Sequence, residues 1–236
     1  MAGVRVVRSD ERFLTERDGI RTRHSFSFGD HYDPDNIGFG ALTAVNDEHV
    51  GPGRGYGTHR HRDAEIVTWV LGGALAHADS AGNTGTIKPG MVQRMSAGDG
   101  VEHSERNASD VADLRFVQTW LRSDHEGPPT YEQATIADSL DAGGWVLAAS
   151  GVRADDAAIG IAADGARLWI ARMAPGERLT APQADLRHVH VVRGAVRADD
   201  ADLEEGDVLR VVGEVGHTLT AQTPSELLVW AMRRSS

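Results

Sequence analysis

Polar and apolar positions alternate along this chain in short runs, and few segments repeat with the period of a helix. AEIVTWVL (64–71), ALAHAD (74–79), LRFVQTWL (114–121), RLWIARM (167–173), HVHVVR (188–193), DVLRVV (207–212), HTLTAQ (217–222) and ELLVWAM (226–232) read as strands. Turn chemistry separates them: Gly72-Gly73, SAGNTG (80–85), Pro89-Gly90, Gly98-Asp99-Gly100 and Glu205-Gly206-Asp207. Many short strands at regular spacing predict an all-β sandwich or barrel. Two segments, SDERFLTERDG (9–19) and YEQATIADSLDAG (131–143), read as irregular, with at most a helical turn.

SDHEGPPTYE (123–132) is charged, carries a Pro-Pro pair and breaks the strand rhythm, which makes it the natural boundary between a domain of 1–125 and one of 126–236. A weak internal repeat supports two related halves. GALAHAD (73–79) compares with GAVRADD (194–200), and GMV (90–92) with GDV (206–208). Two β-barrels of one ancestry explain both the repeat and a length of 236 residues.

Composition narrows the chemistry. With no cysteine, the chain has no disulfide, thiolate nucleophile or zinc–thiolate site, so a metal would be held by histidine, carboxylate or backbone oxygen. The formal charge is -11, and a single lysine, Lys88, accompanies 23 arginines interspersed with Asp and Glu. Direct nucleic-acid binding, which needs massed Lys and Arg, is not expected, and one lysine argues against Schiff-base chemistry. No apolar run approaches the ~20 residues of a membrane span, and the N-terminus has no apolar signal core. A cytoplasmic protein is the expectation.

The candidate chemistry is in THRHRDAE (58–65) and VEHSE (101–105). A His-x-His pair alone is weak, because eleven histidines in this chain give roughly half an expected pair by chance. Strand geometry adds weight: side chains at i and i+2 share a face, so His59 and His61 project together, as do His103 and Glu105. If the two strands face each other across a barrel, four ligands converge on one point. The competing reading is surface histidines on strand edges.

Gly53, His59, His61, Glu65 and Gly72 reproduce the spacing of the first cupin motif. The second motif is less regular, with Ser96 where proline is usual and two extra residues before His103. That departure resembles the pirin family, as do HRH (59–61), HADSAGNTG (77–85), MSAGDGVEHSE (95–105), HSFSFGDHYDPDNIGFGAL (24–42), QTWL (118–121) and TYEQ (130–133). The resemblance covers the first half closely and the second in outline. It implies a bicupin, two double-stranded β-helix barrels. It also implies a metal held by His59, His61, His103 and Glu105, and a metal-free C-terminal barrel.

Glu65 stands at the ordinary cupin ligand position, which the pirin pattern gives to Glu105. It then either orients a ligand imidazole or is a partly buried carboxylate paired with an arginine such as Arg60 or Arg62. His77 belongs to its Gly-rich turn, and His24 and His31 are structural. The second pair, His188 and His190, aligns with strand positions Val67 and Trp69 when Gly73 is matched to Gly194, so it recovers no ligand. A separate site of His188, His190 and His217 is the dissenting reading.

Three imidazoles and a carboxylate make a borderline-hard site with open positions, open to iron(II), manganese, nickel, copper or zinc. The resemblance points to iron and to quercetin 2,3-dioxygenase chemistry. In that reaction an enolic flavonol binds the metal, Glu105 serves as ligand and general base, and O2 cleaves the ring with loss of carbon monoxide. Two alternatives come from the same resemblance: a metal- and redox-responsive partner of a regulatory protein, and a cupin acting on another enolic substrate.

Overall fold

The computed structural model describes residues 3–213 and 216–234. In chain order the first strands are β1 (Gly3–Val7), β2 (Phe13–Arg17), β3 (Ile20–His24), β4 (Leu42–Val50), β5 (Gly55–His61) and β6 (Ala64–Gly72). They continue with β7 (Leu75–Asp79), β8 (Thr84–Ile87), β9 (Met91–Ser96), β10 (Val101–Asn107), β11 (Leu114–Arg122) and β12 (Thr130–Thr135). After helix α1 (Ala137–Asp141) come β13 (Val146–Ser150), β14 (Ile159–Gly160), β15 (Arg167–Met173), β16 (Arg178–Thr180) and β17 (Leu186–Arg193). β18 (Val196–Ala198), β19 (Ala201–Leu203), β20 (Val208–Val212), β21 (Thr218–Ala221) and β22 (Ser225–Met232) complete the chain. The fold is almost all β and forms two cupin barrels, as expected.

Both segments expected to be irregular carry strands: β2 follows a short 3-10 turn at Ser9–Glu11, and β12 precedes α1. Each is a polar, exposed edge strand, so neither shows the apolar alternation that marks a half-buried strand. The division between units also differs from 125/126. One unit comprises 13–135 and 159–164; the other comprises 1–12, 136–158 and 165–236. Strand pairing explains this. β12 completes the first barrel by pairing with β9, and β1 completes the second by pairing with β20. Each is placed by hydrogen bonds to residues distant in sequence.

The first barrel joins a sheet ordered β12-β9-β6-β11-β4-β3-β2 to one ordered β5-β10-β7-β8. The second repeats the plan, with β1-β20-β17-β22-β15-β13 and β16-β21-β18-β19. The repeat glycines occupy matching backbone states. Gly73 and Gly194 both have φ +77°, and an added Cβ would lie 2.5 Å from the Asp113 carbonyl oxygen in one and 2.3 Å from that of Pro224 in the other. Only glycine fits either turn without strain.

The interiors differ. A row of directly opposed residues crosses the large sheet of the first barrel: Gln133, Gln93, Thr68, Gln118, Asn46 and His24. It lies between two apolar clusters. Ile66, Met95 and Trp120 belong to one, and Val70, Met91 and Phe116 to the other. The corresponding row of the second barrel is Val6, Leu209, Val189, Val229, Trp169 and Leu147, and five of these pack into one apolar core. Burying polar groups forfeits roughly 1–3 kcal/mol for each that goes unpaired. A polar layer inside one of two related barrels therefore marks where its chemistry lies. Among the described residues, no helix is long and apolar enough to cross a membrane.

Candidate metal centre

The four residues singled out from sequence lie on neighbouring strands, not on strands facing each other across the barrel. β5 and β10 pair antiparallel, with His103 opposite His59 and Val101 opposite His61. A register shift between His103 and Glu105 places Glu105 opposite Tyr56. On its other side β10 pairs with β7, which puts Glu105 opposite His77 and His103 opposite Asp79. The alternation of β10 buries Val101, His103, Glu105 and Asn107 and exposes Glu102 and Arg106, as the period-2 argument requires.

His59 Nε2 and His103 Nε2 are 3.1 Å apart. With His61 they form a group whose ligating nitrogens all lie within 4.8 Å of one another. Two ligands at right angles on an ion about 2.1 Å away sit about 3.0 Å from each other, so the nitrogen spacing fits a shared cation. His59 Nδ1 is 2.7 Å from the Gly57 carbonyl oxygen. An N–H donated there leaves Nε2 as a bare acceptor facing the cluster. His61 Nε2 and His103 Nδ1 are buried without a hydrogen-bond partner among the described residues.

Burial holds His61 down to about 4, with the charge of His59 acting in the same direction. Burial, and then His59, His61 and His77, hold His103 down to about 3. Both imidazoles are therefore neutral at pH 7, the state in which they can donate a lone pair.

Glu105 belongs to a second, overlapping group with His77 and His103. Its place is one strand over from the His59–His61 pair. The carboxyl is 3% exposed, and Gln118 Nε2 donates to Oε2 at 2.7 Å. Gln118 Oε1 in turn accepts from Trp120 Nε1–H at 2.9 Å. Burial pushes the Glu105 carboxyl up to about 7, against the pull of the Gln118 bond.

His77, assigned from sequence to its turn, is instead a buried wall of this site. Its ring lies 5.3 Å from that of His103 and stacks on Tyr131 at 4.9 Å. Its Nε2 is 3.3 Å from Asp79 Oδ2. The i+2 spacing of His77 and Asp79 was the available signal, hidden by the turn residues that follow. Gln118 lies in the QTWL run that carries part of the pirin resemblance, but nothing in that run assigns it to the site.

Glu65 is the buried, arginine-paired carboxylate of the second reading, with Arg94 as the arginine instead of Arg60 or Arg62. It is fully buried, accepts from the Ala162 backbone N–H at 3.0 Å and lies 3.8 Å from Arg94 Nε. Among the described residues it makes no contact with an imidazole, Arg60 or Arg62, because β6 belongs to the other sheet. His24 is structural as expected, with Asn46 Oδ1 at 3.0 Å from Nδ1 and Thr15 Oγ1 at 2.9 Å from Nε2. His31 stacks on Phe13 at 4.0 Å. In the second barrel the opposed partners of Leu219 are Leu179 and Ala198, where Glu105 has Tyr56 and His77. His188 and His190 alternate with the core residues Val189 and Val191 and so point away from that barrel's interior. His217 Nδ1 is 2.6 Å from Asp199 Oδ2.

Residues 6–121 match the Pirin family, and residues 145–232 match the quercetinase C-terminal cupin domain. The chain is 45% identical to a Mycobacterium tuberculosis protein over 98% of its own length and 96% of the relative's; that relative carries the name quercetin 2,3-dioxygenase provisionally. It is 32% identical to the quercetin 2,3-dioxygenase of Escherichia coli over 94% and 96% of the two chains. The crystal structure of the E. coli pirin YhhW in complex with nickel(II) superposes with a TM-score of 0.90 at 31% identity, covering 99% and 100% of the two chains. A polar-lined first barrel, a histidine cluster on adjacent strands and these likenesses lead to one conclusion: the chain belongs to the pirin family.

Proposed function

We propose that the chain is a metal-dependent dioxygenase cleaving quercetin or a related enolic aromatic substrate with O2. His59, His61, His103 and Glu105 would hold one divalent ion. The observation carrying this reading is the 3.1 Å approach of two imidazole nitrogens beside a third that is buried without a partner among the described residues. The names of the relatives support the substrate class. A thiolate-free donor set accommodates iron(II), nickel, manganese, copper and zinc alike, and the pirin resemblance makes iron(II) the first choice. Nickel is the ion in the E. coli pirin complex.

When bound, such an ion supplies Lewis acidity and one-electron redox chemistry. The remaining work is done by side chains. Glu105 takes the substrate's hydroxyl proton. Gln118 fixes its orientation through Oε2, and Glu105 Oε1 carries no hydrogen bond among the described residues. Asp79 holds His77 against the far side of the site. We assign no ion to the second barrel, where Leu219 and Ala198 replace Glu105 and His77.

The test is elemental analysis of the purified chain beside His59→Ala and His103→Ala, followed by oxygen uptake with flavonols after anaerobic iron loading. The expected result is about one ion per chain in the parent, loss in both variants, and uptake with release of carbon monoxide. No ion in the loaded parent, or uptake that survives both substitutions, overturns the reading. No uptake together with a stable protein complex would favour a binding role.

A further inference from the structure

Beside the histidine cluster the first barrel opens into a cavity of about 620 Å³, lined from β2, β3, β4, β5 and the turn at 28–30. β5 is the wall it shares with the cluster. Tyr56 and Gly57 line the cavity, while the Gly57 carbonyl lies against His59 Nδ1 and the Tyr56 ring is 6.3 Å from that of His59. On another side Phe28 meets Trp120 edge-on at 5.3 Å, and Trp120 meets His61 edge-on at 4.7 Å. The volume lies in the range of small-molecule sites.

Glu48 is the group in this wall that the fold leaves incompletely used. Its side chain is 3% exposed. Oε2 accepts from Thr22 Oγ1–H at 2.6 Å and from the Tyr56 hydroxyl at 2.9 Å, whereas Oε1 has no hydrogen-bond partner among the described residues. Two donors on one oxygen fix the carboxyl plane and leave the other oxygen's lone pairs open to a donor. Rings of Phe13, His24, Phe28 and Tyr56 surround the same space, and His24 is held in place by Thr15 and Asn46. The charge of the lining selects further. Glu16 is paired with Arg21, and Arg17, the one cationic side chain of the lining, is already paired with Asp18, so an anionic ligand finds no unpaired cation among the described lining residues.

We infer that this cavity binds a neutral, hydroxyl-bearing aromatic ring, with Glu48 Oε1 accepting from the hydroxyl, which makes Glu48 a specificity-determining residue. The inference rests on reading the neighbouring centre as one for hydroxylated aromatic substrates. The ring remote from the reacting oxygen would occupy the cavity, and its binding energy would orient the reacting end.

Binding to the as-purified protein under nitrogen, followed by tryptophan fluorescence, tests this with three probes. Quercetin and 3-hydroxyflavone share the 3-hydroxyl and differ in the remaining hydroxyls; 2-naphthoate is an aromatic anion. Quercetin is expected to bind about tenfold more tightly than 3-hydroxyflavone to the parent, with naphthoate weakest. Glu48→Gln, which turns an amide donor toward the cavity, is expected to remove most of that difference while 3-hydroxyflavone binding stays within about twofold. Equal binding of the two flavonoids to the parent, naphthoate binding as tight as quercetin, or a quercetin Kd unchanged by Glu48→Gln overturns the inference. Oxygen uptake on the metal-loaded protein separates the two readings. Glu48-dependent binding without turnover keeps the cavity assignment and defeats the dioxygenase. Turnover with KM unchanged in Glu48→Gln does the reverse.

Discussion

His59 and His103 stand directly opposite each other on the paired strands β5 and β10, with Nε2 atoms 3.1 Å apart and the His59 tautomer set by the Gly57 carbonyl. Two bare nitrogens at that distance repel unless a proton or a cation lies between them. This one relationship generates the first prediction.

Either His59→Ala or His103→Ala removes a nitrogen from the cluster, so metal affinity should fall by a factor of about 10 to 100 or more. Because metal bound only to the folded state stabilises it by about 2.7 kcal/mol at a hundredfold excess over Kd, added iron(II) or nickel(II) should raise the parent's Tm. The variants should show no such rise. A metal-induced shift preserved in both would place the ion elsewhere.

Glu65 and Glu105 make opposite predictions. Glu65 holds the Ala162 N–H and faces Arg94, so Glu65→Gln should leave metal content unchanged and lower stability by about 1–3 kcal/mol. Glu105→Gln should cost metal or turnover instead. Metal analysis of the two proteins side by side decides whether the ordinary cupin register or the pirin one applies to this chain.

Gln118 spends both ends of its amide, one on Glu105 and one on Trp120. Gln118→Leu leaves the indole N–H and the carboxylate without those partners, a loss of roughly 1–3 kcal/mol each when buried. The Glu105 carboxyl should then hold its proton more tightly, moving the acid limb of the kcat/KM profile to higher pH. An unmoved acid limb would show that Glu105 is not the titrating base.

Glu48 gives a pH dependence of known sign. Burial raises its folded pKa to about 7 from an ordinary 4.5. Between those values the folded state holds a proton that the unfolded state has lost, so this group's contribution to stability is full below about 4.5, falls as pH rises, and levels off above about 7. Glu48→Gln cannot titrate. Its stability relative to the parent should therefore improve across that window, by up to about 3 kcal/mol. Denaturant unfolding of both proteins at pH 5, 6, 7 and 8 measures it, and a pH-independent difference would contradict the burial assignment. Burial of His61 and His103 acts in the opposite direction in both proteins and cancels in the comparison.

The strands with apolar alternation, the Gly73 and Gly194 turns, and the β character of the whole were legible in the chain itself. Each follows from local rules: side-chain period, turn chemistry and the sterics of positive φ. That His59 and His61 share a face, and that His103 and Glu105 share one, was legible for a related reason, since i+2 spacing fixes it wherever the strand goes; joining the two pairs came from the family resemblance. Tertiary structure decided what no local rule contains. It set β5 beside β10 and brought His77 and Gln118 onto Glu105. It aligned Gln133, Gln93, Thr68, Gln118, Asn46 and His24 into one polar layer. It also sent Glu65 to Arg94 and gave β1 to the second barrel. Strand periodicity names the face of a side chain, but only the pairing of distant strands names its neighbour, and the chemistry of this site is made by neighbours.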